Sequence, residues 1–102
     1  MKFVITTCPT DKIKEIKERV LQEKLAACSL VVPLKESKFW WKGQLTSEEE
    51  DLIVFKTRKD LVYKVFKRIK ELHPYDVPFI AELDVEKVYD KYEEWLNEVT
   101  SD

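Results

Sequence analysis

The sequence predicts an α+β domain with the element order β-α-β-β-α-β and a further C-terminal helix. Three observations carry this. Short β-branched or alternating apolar runs occur at Phe3–Thr7 and Phe79–Val85, and two longer stretches repeat their apolar residues at helical spacing. Between those stretches, the single glycine of the chain sits in Lys42-Gly43-Gln44, flanked by two β-like runs, which reads as a hairpin. This order is the ferredoxin-like arrangement.

Each element has a local reason. Phe3 to Thr7 is compact and β-branched, and Pro9-Thr10-Asp11 ends it. Ile13, Ile16, Val20, Leu21 and Leu25 then mark a helix face, with Thr10 as the expected N-cap. A β-like stretch from Cys28 to Trp41 is interrupted at Pro33, and its return arm runs through Leu52–Thr57. Thr57-Arg58-Lys59-Asp60 resembles a capping box opening a helix with Leu61, Val62, Val65, Phe66, Ile69 and Leu72 on one face. His73-Pro74 stops that helix. Phe79, Ala81, Leu83 and Val85 alternate, which predicts a strand with one buried face, and Asp84 is placed to cap the next helix. That helix carries Val88, Tyr92, Trp95, Leu96 and Val99.

The hairpin is too long for the domain. The fourteen residues from Cys28 to Trp41 would extend roughly 45 Å, whereas a chain of this size has a radius of gyration of about 13 Å. The arm must bend at Pro33 or project. A projecting arm ending in Phe39, Trp40 and Trp41 exposes apolar surface and an unpaired edge, so an oligomer that pairs these arms is expected.

At 102 residues the chain has room for one domain, spanning 1–102, and its 44% hydrophobic and 12% aromatic content argues against disorder. Eighteen basic against twenty acidic residues leave a net charge of −2, without the basic excess of a nucleic-acid binder. One glycine excludes glycine-rich phosphate loops. No apolar stretch approaches the roughly 20 residues of a membrane span, and the apolar run at the amino terminus is too short for a signal peptide. Two cysteines, Cys8 and Cys28, make no disulfide framework, so a cytoplasmic protein is expected. The dense mixture of Lys, Arg and Glu fits a heat-adapted protein.

Chemistry-bearing residues are few. His73 is the sole histidine, so Cys8 or Cys28 with His73 is the one nucleophile pair that can be named. In His73-Pro74-Tyr75-Asp76-Val77-Pro78, two prolines stiffen a loop bearing an imidazole, a phenol and a carboxylate. That loop suits a metal or small ligand; it also reads as a plain helix stop with a histidine near the helix dipole. Asp84 could offer a hard oxygen to a cation, or simply cap a helix. Glu48, Glu49, Glu50 and Asp51 could attract divalent ions, or merely keep a strand edge solvated. The ring cluster Phe39-Trp40-Trp41 lacks the RNP1 pattern of RNA-recognition sheets, and interface packing accounts for it better.

In order and spacing, several segments resemble the CutA family of divalent-cation tolerance proteins. They are Leu25-Ala26-Ala27-Cys28, Pro33, Ser37-Lys38-Phe39-Trp40-Trp41-Lys42-Gly43, Glu50, Lys56-Thr57, the histidine-proline loop and Tyr92-Glu93-Glu94-Trp95-Leu96. The resemblance implies a ferredoxin-like homotrimer built through extended strands, linked to tolerance of copper and other divalent cations, and no enzyme. It implies a cleft between subunits to which Cys28, Glu50, Lys56, His73, Tyr75 and Trp95 would map. The family's copper-associated cysteine and doubled histidine stand here as Thr6 and Leu72-His73. His73 and Asp84 therefore remain as candidate metal ligands, with weak oxygen coordination expected. No cofactor is obligatory; Cu(II) or another divalent cation is the ligand to expect, and neither nucleic acid nor membrane is a partner. The alternative is a trimeric small-ligand sensor of PII-like fold, which rests on fold analogy.

Overall fold

A computed structural model describes residues 1–101. The elements are β1 (Lys2–Pro9), α1 (Ile13–Gln22), β2 (Cys28–Pro33), β3 (Ser37–Trp41), β4 (Gln44–Glu48), β5 (Glu50–Thr57), α2 (Val62–Leu72), β6 (Ile80–Asp84) and α3 (Asp90–Val99). Four strands form one sheet in the order β2-β5-β1-β6, each neighbouring pair antiparallel. The expected ferredoxin-like order is present, and β3 and β4 add a separate two-stranded ribbon.

Helices α1 and α2 pack on one face of this sheet. Val4, Thr6 and Cys8 of β1 and Ile53 and Phe55 of β5 point toward them and are fully or nearly fully buried. Ile13, Ile16 and Val20 of α1 meet Val65 and Ile69 of α2 in the same core. Spacings of i, i+3, i+7 in α1 and i, i+4 in α2 put each set on a single stripe, which is the periodicity the sequence displays. α1 is stopped two residues past Gln22 by Lys24, whose φ of 57° is left-handed. There Leu25 N–H donates to Val20 O at 3.1 Å and Lys24 N–H to Leu21 O at 2.9 Å, the two bonds of a Schellman stop.

Three expected caps do not form. Thr10 and Lys59 begin short 3-10 turns, so the α-helices start three residues later, without a side-chain cap. The Thr10 hydroxyl instead donates to Asp51 Oδ1, and Thr57, still inside β5, donates to Leu25 O at 2.6 Å. Asp84 precedes α3 by six residues and pairs with Lys2 at 3.2 Å instead. Val88 likewise precedes α3.

The other sheet face departs most from expectation. Register puts Phe3, Ile5, Leu30, Leu52, Val54, Ala81 and Leu83 together there. Alternation in β6 is real, yet its apolar side is this open face, and Leu83 is 48% exposed. α3 reaches only one end of it, through Tyr92 and Lys56.

The hairpin both bends and projects. Pro33 ends β2, the chain kinks through residues 34–36, and the ribbon then extends to a tight turn in which Lys42 and Gly43 have φ of 49° and 77°. Two consecutive positive φ values match the twist of a two-residue hairpin. The body measures 46 × 25 × 20 Å. Trp40, near the tip, is 73% exposed.

Candidate functional site

Polar residues collect at the two ends of the open sheet face. At the hairpin base lies Glu50, the first residue of β5, held by pairing with Pro9 and by Leu34 N–H donating to its carbonyl. Its carboxylate is buried, with 3% exposure. Ser37 donates its hydroxyl to Oε1, and Tyr75 donates its phenol to Oε2 at 2.7 Å. Burial first, and then the bond to Glu50, hold the Tyr75 phenol above its usual pKa, so it remains a donor.

His73 sets the position of Tyr75. A carbonyl can only accept and an amide N–H can only donate. His73 Nε2 therefore donates to Thr7 O at 2.8 Å, and Nδ1 accepts from Tyr75 N–H at 3.1 Å. This defines a neutral Nε2–H ring. The two rings lie 4.9 Å apart. A metal bound by His73 would have to displace one of those bonds.

Cys8 lies behind this cluster, fully buried, opposite Asp51. Burial first, then the nearby Glu50 charge, push its thiol up to about 12. It is a poor nucleophile there.

A cavity of about 630 Å³ opens between the ribbon and the proline loop. Glu48, Glu50 and Asp76 line it, against the single cation Lys42. Trp40, Trp41 and Tyr75 supply aromatic surface.

At the opposite end, Lys56 donates to Tyr92 Oη at 3.1 Å and lies 5.0 Å from the ring centroid. Tyr92 and Trp95 rings are 5.3 Å apart. Cys28 pairs with Lys56 across β2 and β5. Within one chain, then, Glu50, His73 and Tyr75 form one group and Cys28, Lys56 and Trp95 another. Six residue steps along β5, roughly 20 Å, separate Glu50 from Lys56.

The two candidate metal ligands are not brought together. His73 meets β1 at Thr7, whereas Asp84 sits at the start of β1, where Lys2 also pairs with Glu82 at 3.1 Å. Among the described residues, no three or more His, Cys, Asp or Glu side chains converge as a metal-binding group. The donor set therefore does not fit a preformed soft-metal centre.

Ser37 and Tyr92 also belong to these clusters, although the sequence alone does not mark either as a site residue. A signal for Ser37 existed: a two-residue turn at Lys42-Gly43 sets Ser37 opposite Glu48, one strand repeat from Glu50.

A family model described as CutA1 divalent ion tolerance protein matches residues 2–99. The divalent-cation tolerance protein CutA of Pyrococcus horikoshii is 40% identical over 103 residues, covering 98% of each chain. The crystal structure of CutA1 from Pyrococcus horikoshii superposes with a TM-score of 0.93 at 37% identity, covering 100% of both chains. A structure titled periplasmic divalent cation tolerance protein CutA, from Archaeoglobus fulgidus, gives 0.93 at 30% identity and covers 99% of this chain and 100% of that one. These names are those of tolerance proteins, not of enzymes. Among the described residues no helix is long and apolar enough to cross a membrane. The chain belongs to the CutA1 divalent ion tolerance protein family.

Proposed function

We propose that the chain works as a homotrimer in divalent-cation tolerance, without catalysis and without an obligatory cofactor. The observation that carries this is the uncovered apolar sheet face beside a projecting aromatic arm. Leu30 and Val32 are each 45% exposed, on the same sheet face as Leu83 at the opposite edge, and Trp40 adds exposed apolar surface on the arm. Surface of this kind on an isolated chain is a liability that a second copy removes. Three copies would also close the gap between the Glu50 and Lys56 clusters, one supplied by each neighbour. The working compartment we assign is the cytoplasm, and neither membrane nor nucleic acid is a partner.

Divalent cations, Cu(II) among them, are met weakly by carboxylate oxygens at the hairpin base, with Glu48 and Asp76 at the cavity wall. Asp84 gives a second, exposed oxygen site. His73 contributes chiefly by holding Tyr75. Calorimetric titration with Cu(II) tests this: the heat should shrink in Glu48→Gln with Asp76→Asn and persist in His73→Ala. An unchanged heat in the double variant would remove those carboxylates from the site.

The cavity favours a second reading, a trimeric small-ligand sensor. Its volume is far larger than an ion needs and falls in the range of roughly 300–1,000 Å³ typical of organic ligands.

A further inference from the structure

We infer that the groove between α2 and the β6 edge is a docking site for an acidic peptide segment of a partner protein, a few extended residues long and anchored by an apolar side chain.

Its place separates it from the assembly face. Ile80 pairs with Thr6 and Glu82 with Val4 across β6 and β1. Thr6 and Val4 are fully buried under the helices, and residues directly opposite each other on paired strands share a face. Ile80 and Glu82 therefore lie on the helix side of the sheet, and the groove opens there. It is turned away from the open face through which the proposed trimer assembles.

The floor is apolar and already built. The groove has a volume of about 780 Å³. Val62, Phe66 and Ile80 are half-buried, pack inward on the core and form its floor together with Pro78. An apolar side chain laid on such a floor leaves water without requiring the protein to rearrange.

Above the floor runs a ridge of like charge. Lys59, Tyr63 and Lys67 follow one another at i+4 spacing, and Lys70 comes three residues later, so the four share one side of the helix. From Lys59 to Lys70 the axis advances roughly 17 Å, the reach of about five extended residues.

The acidic groups nearby are already engaged. Among the described residues lining the groove, Glu82 is the one carboxylate, and Lys2 holds it at 3.1 Å while also pairing with Asp84 at 3.2 Å. On the α2 segment, Arg58 holds Asp60 at 3.4 Å and Arg68 holds Glu71 at 3.8 Å. Lys70 donates to the backbone carbonyl of Asp76 at 3.1 Å, which leaves its charge uncompensated. An anionic partner is therefore attracted along the whole ridge.

Floor and ridge together select the kind of anion. Carboxylates flanking an apolar side chain use both. A lipid surface would need the apolar residues at the crest, whereas here they lie beneath the lysines. A phosphate backbone would leave the floor unused.

The test is fluorescence anisotropy of the labelled peptide Asp-Glu-Phe-Asp-Leu-Glu with the intact assembly. Two control peptides replace the acids with their amides, or Phe and Leu with Ser. The acidic apolar peptide should bind once per chain, with each control about tenfold weaker or worse. Lys59→Glu with Lys67→Glu should lose about tenfold in affinity, and Tyr63→Ala about threefold. Lys64→Glu, on α2 but not lining the groove, should stay within about twofold of the wild type. All four side chains are exposed, so the variants should keep the wild-type particle mass in light scattering. Equal binding of either control peptide, unchanged affinity in the double lysine variant, or an equal loss in Lys64→Glu would overturn the inference. So would no binding at millimolar peptide. Tighter binding of phosphatidylserine vesicles or of single-stranded oligothymidine than of the peptide would also overturn it, by giving the groove to a lipid surface or a nucleic acid.

Discussion

Tyr75 donates its phenol to Glu50 at 2.7 Å across 25 residues of sequence, tying the proline-stiffened loop after α2 to the first residue of β5. Ser37 joins the same carboxylate from the start of β3. One buried side chain thus fixes three segments, and the loop cannot move without breaking a bond to a carboxylate. Removing the phenol oxygen in Tyr75→Phe should cost about 1.5–3 kcal/mol, the worth of a hydrogen bond to a charged group. Urea unfolding at a fixed protein concentration measures it. A midpoint equal to that of the wild type would mean that the bond is not formed.

His73 is expected to be a neutral ring protonated at Nε2, because its partners, Thr7 O and Tyr75 N–H, allow no other neutral assignment. Nitrogen-15 NMR of the imidazole distinguishes the tautomers directly, and an Nδ1–H signal would contradict the geometry. His73→Ala should cost about 1–3 kcal/mol by leaving both backbone partners unpaired.

Stability should fall on the alkaline side. The folded chain holds the Cys8 thiol at about 12 against 9.0 for an ordinary one, through burial first and then the Glu50 charge. Folding therefore favours the protonated thiol, and that contribution is complete below pH 9.0 and is lost as pH rises toward 12. Tyr75, raised from 10.0, and Lys2, raised from 10.5 by hydrogen bonds to Glu82 and Asp84, add losses in the same direction at higher pH. Urea midpoints measured upward from pH 9.0 should decline, and less steeply in Cys8→Ala. In the same range of conditions Cys8 should resist thiol-specific reagents until the protein unfolds.

Lys24 occupies the left-handed position of the α1 stop with φ of 57°, a conformation glycine adopts without steric cost. Lys24→Gly should therefore stabilise the fold by roughly 0.5–1 kcal/mol. Thermal unfolding reads this out, and a lowered midpoint would show that the lysine side chain contributes something the backbone argument omits.

Elements whose signal is periodic were legible in the sequence. Ile13, Ile16 and Val20, like Val65 and Ile69, declare a helix face because a single stripe is buried. Alternation of Phe79, Ala81 and Leu83 marks a strand, observed as β6 from Ile80, but the pattern cannot say whether its apolar side meets the helices or another chain. Caps failed for a local reason: Thr10 and Thr57 found nonlocal acceptors in Asp51 and Leu25, and 3-10 turns replaced the expected helix starts. Within the site, Glu50, Tyr75 and His73 could be named individually, while their hydrogen bonds depend on how β1, β5 and the proline loop meet. The link from Lys56 to Trp95 runs through Tyr92, whose role becomes visible only when α3 is laid over the end of the sheet.

The trimer proposed above uses the uncovered sheet face and the projecting arm as its assembly surfaces. Light scattering coupled to size-exclusion chromatography measures the particle mass without reference to shape. The expected particle has three times the chain mass of 12.2 kDa, held on dilution to micromolar concentration. A particle of 12.2 kDa would contradict it.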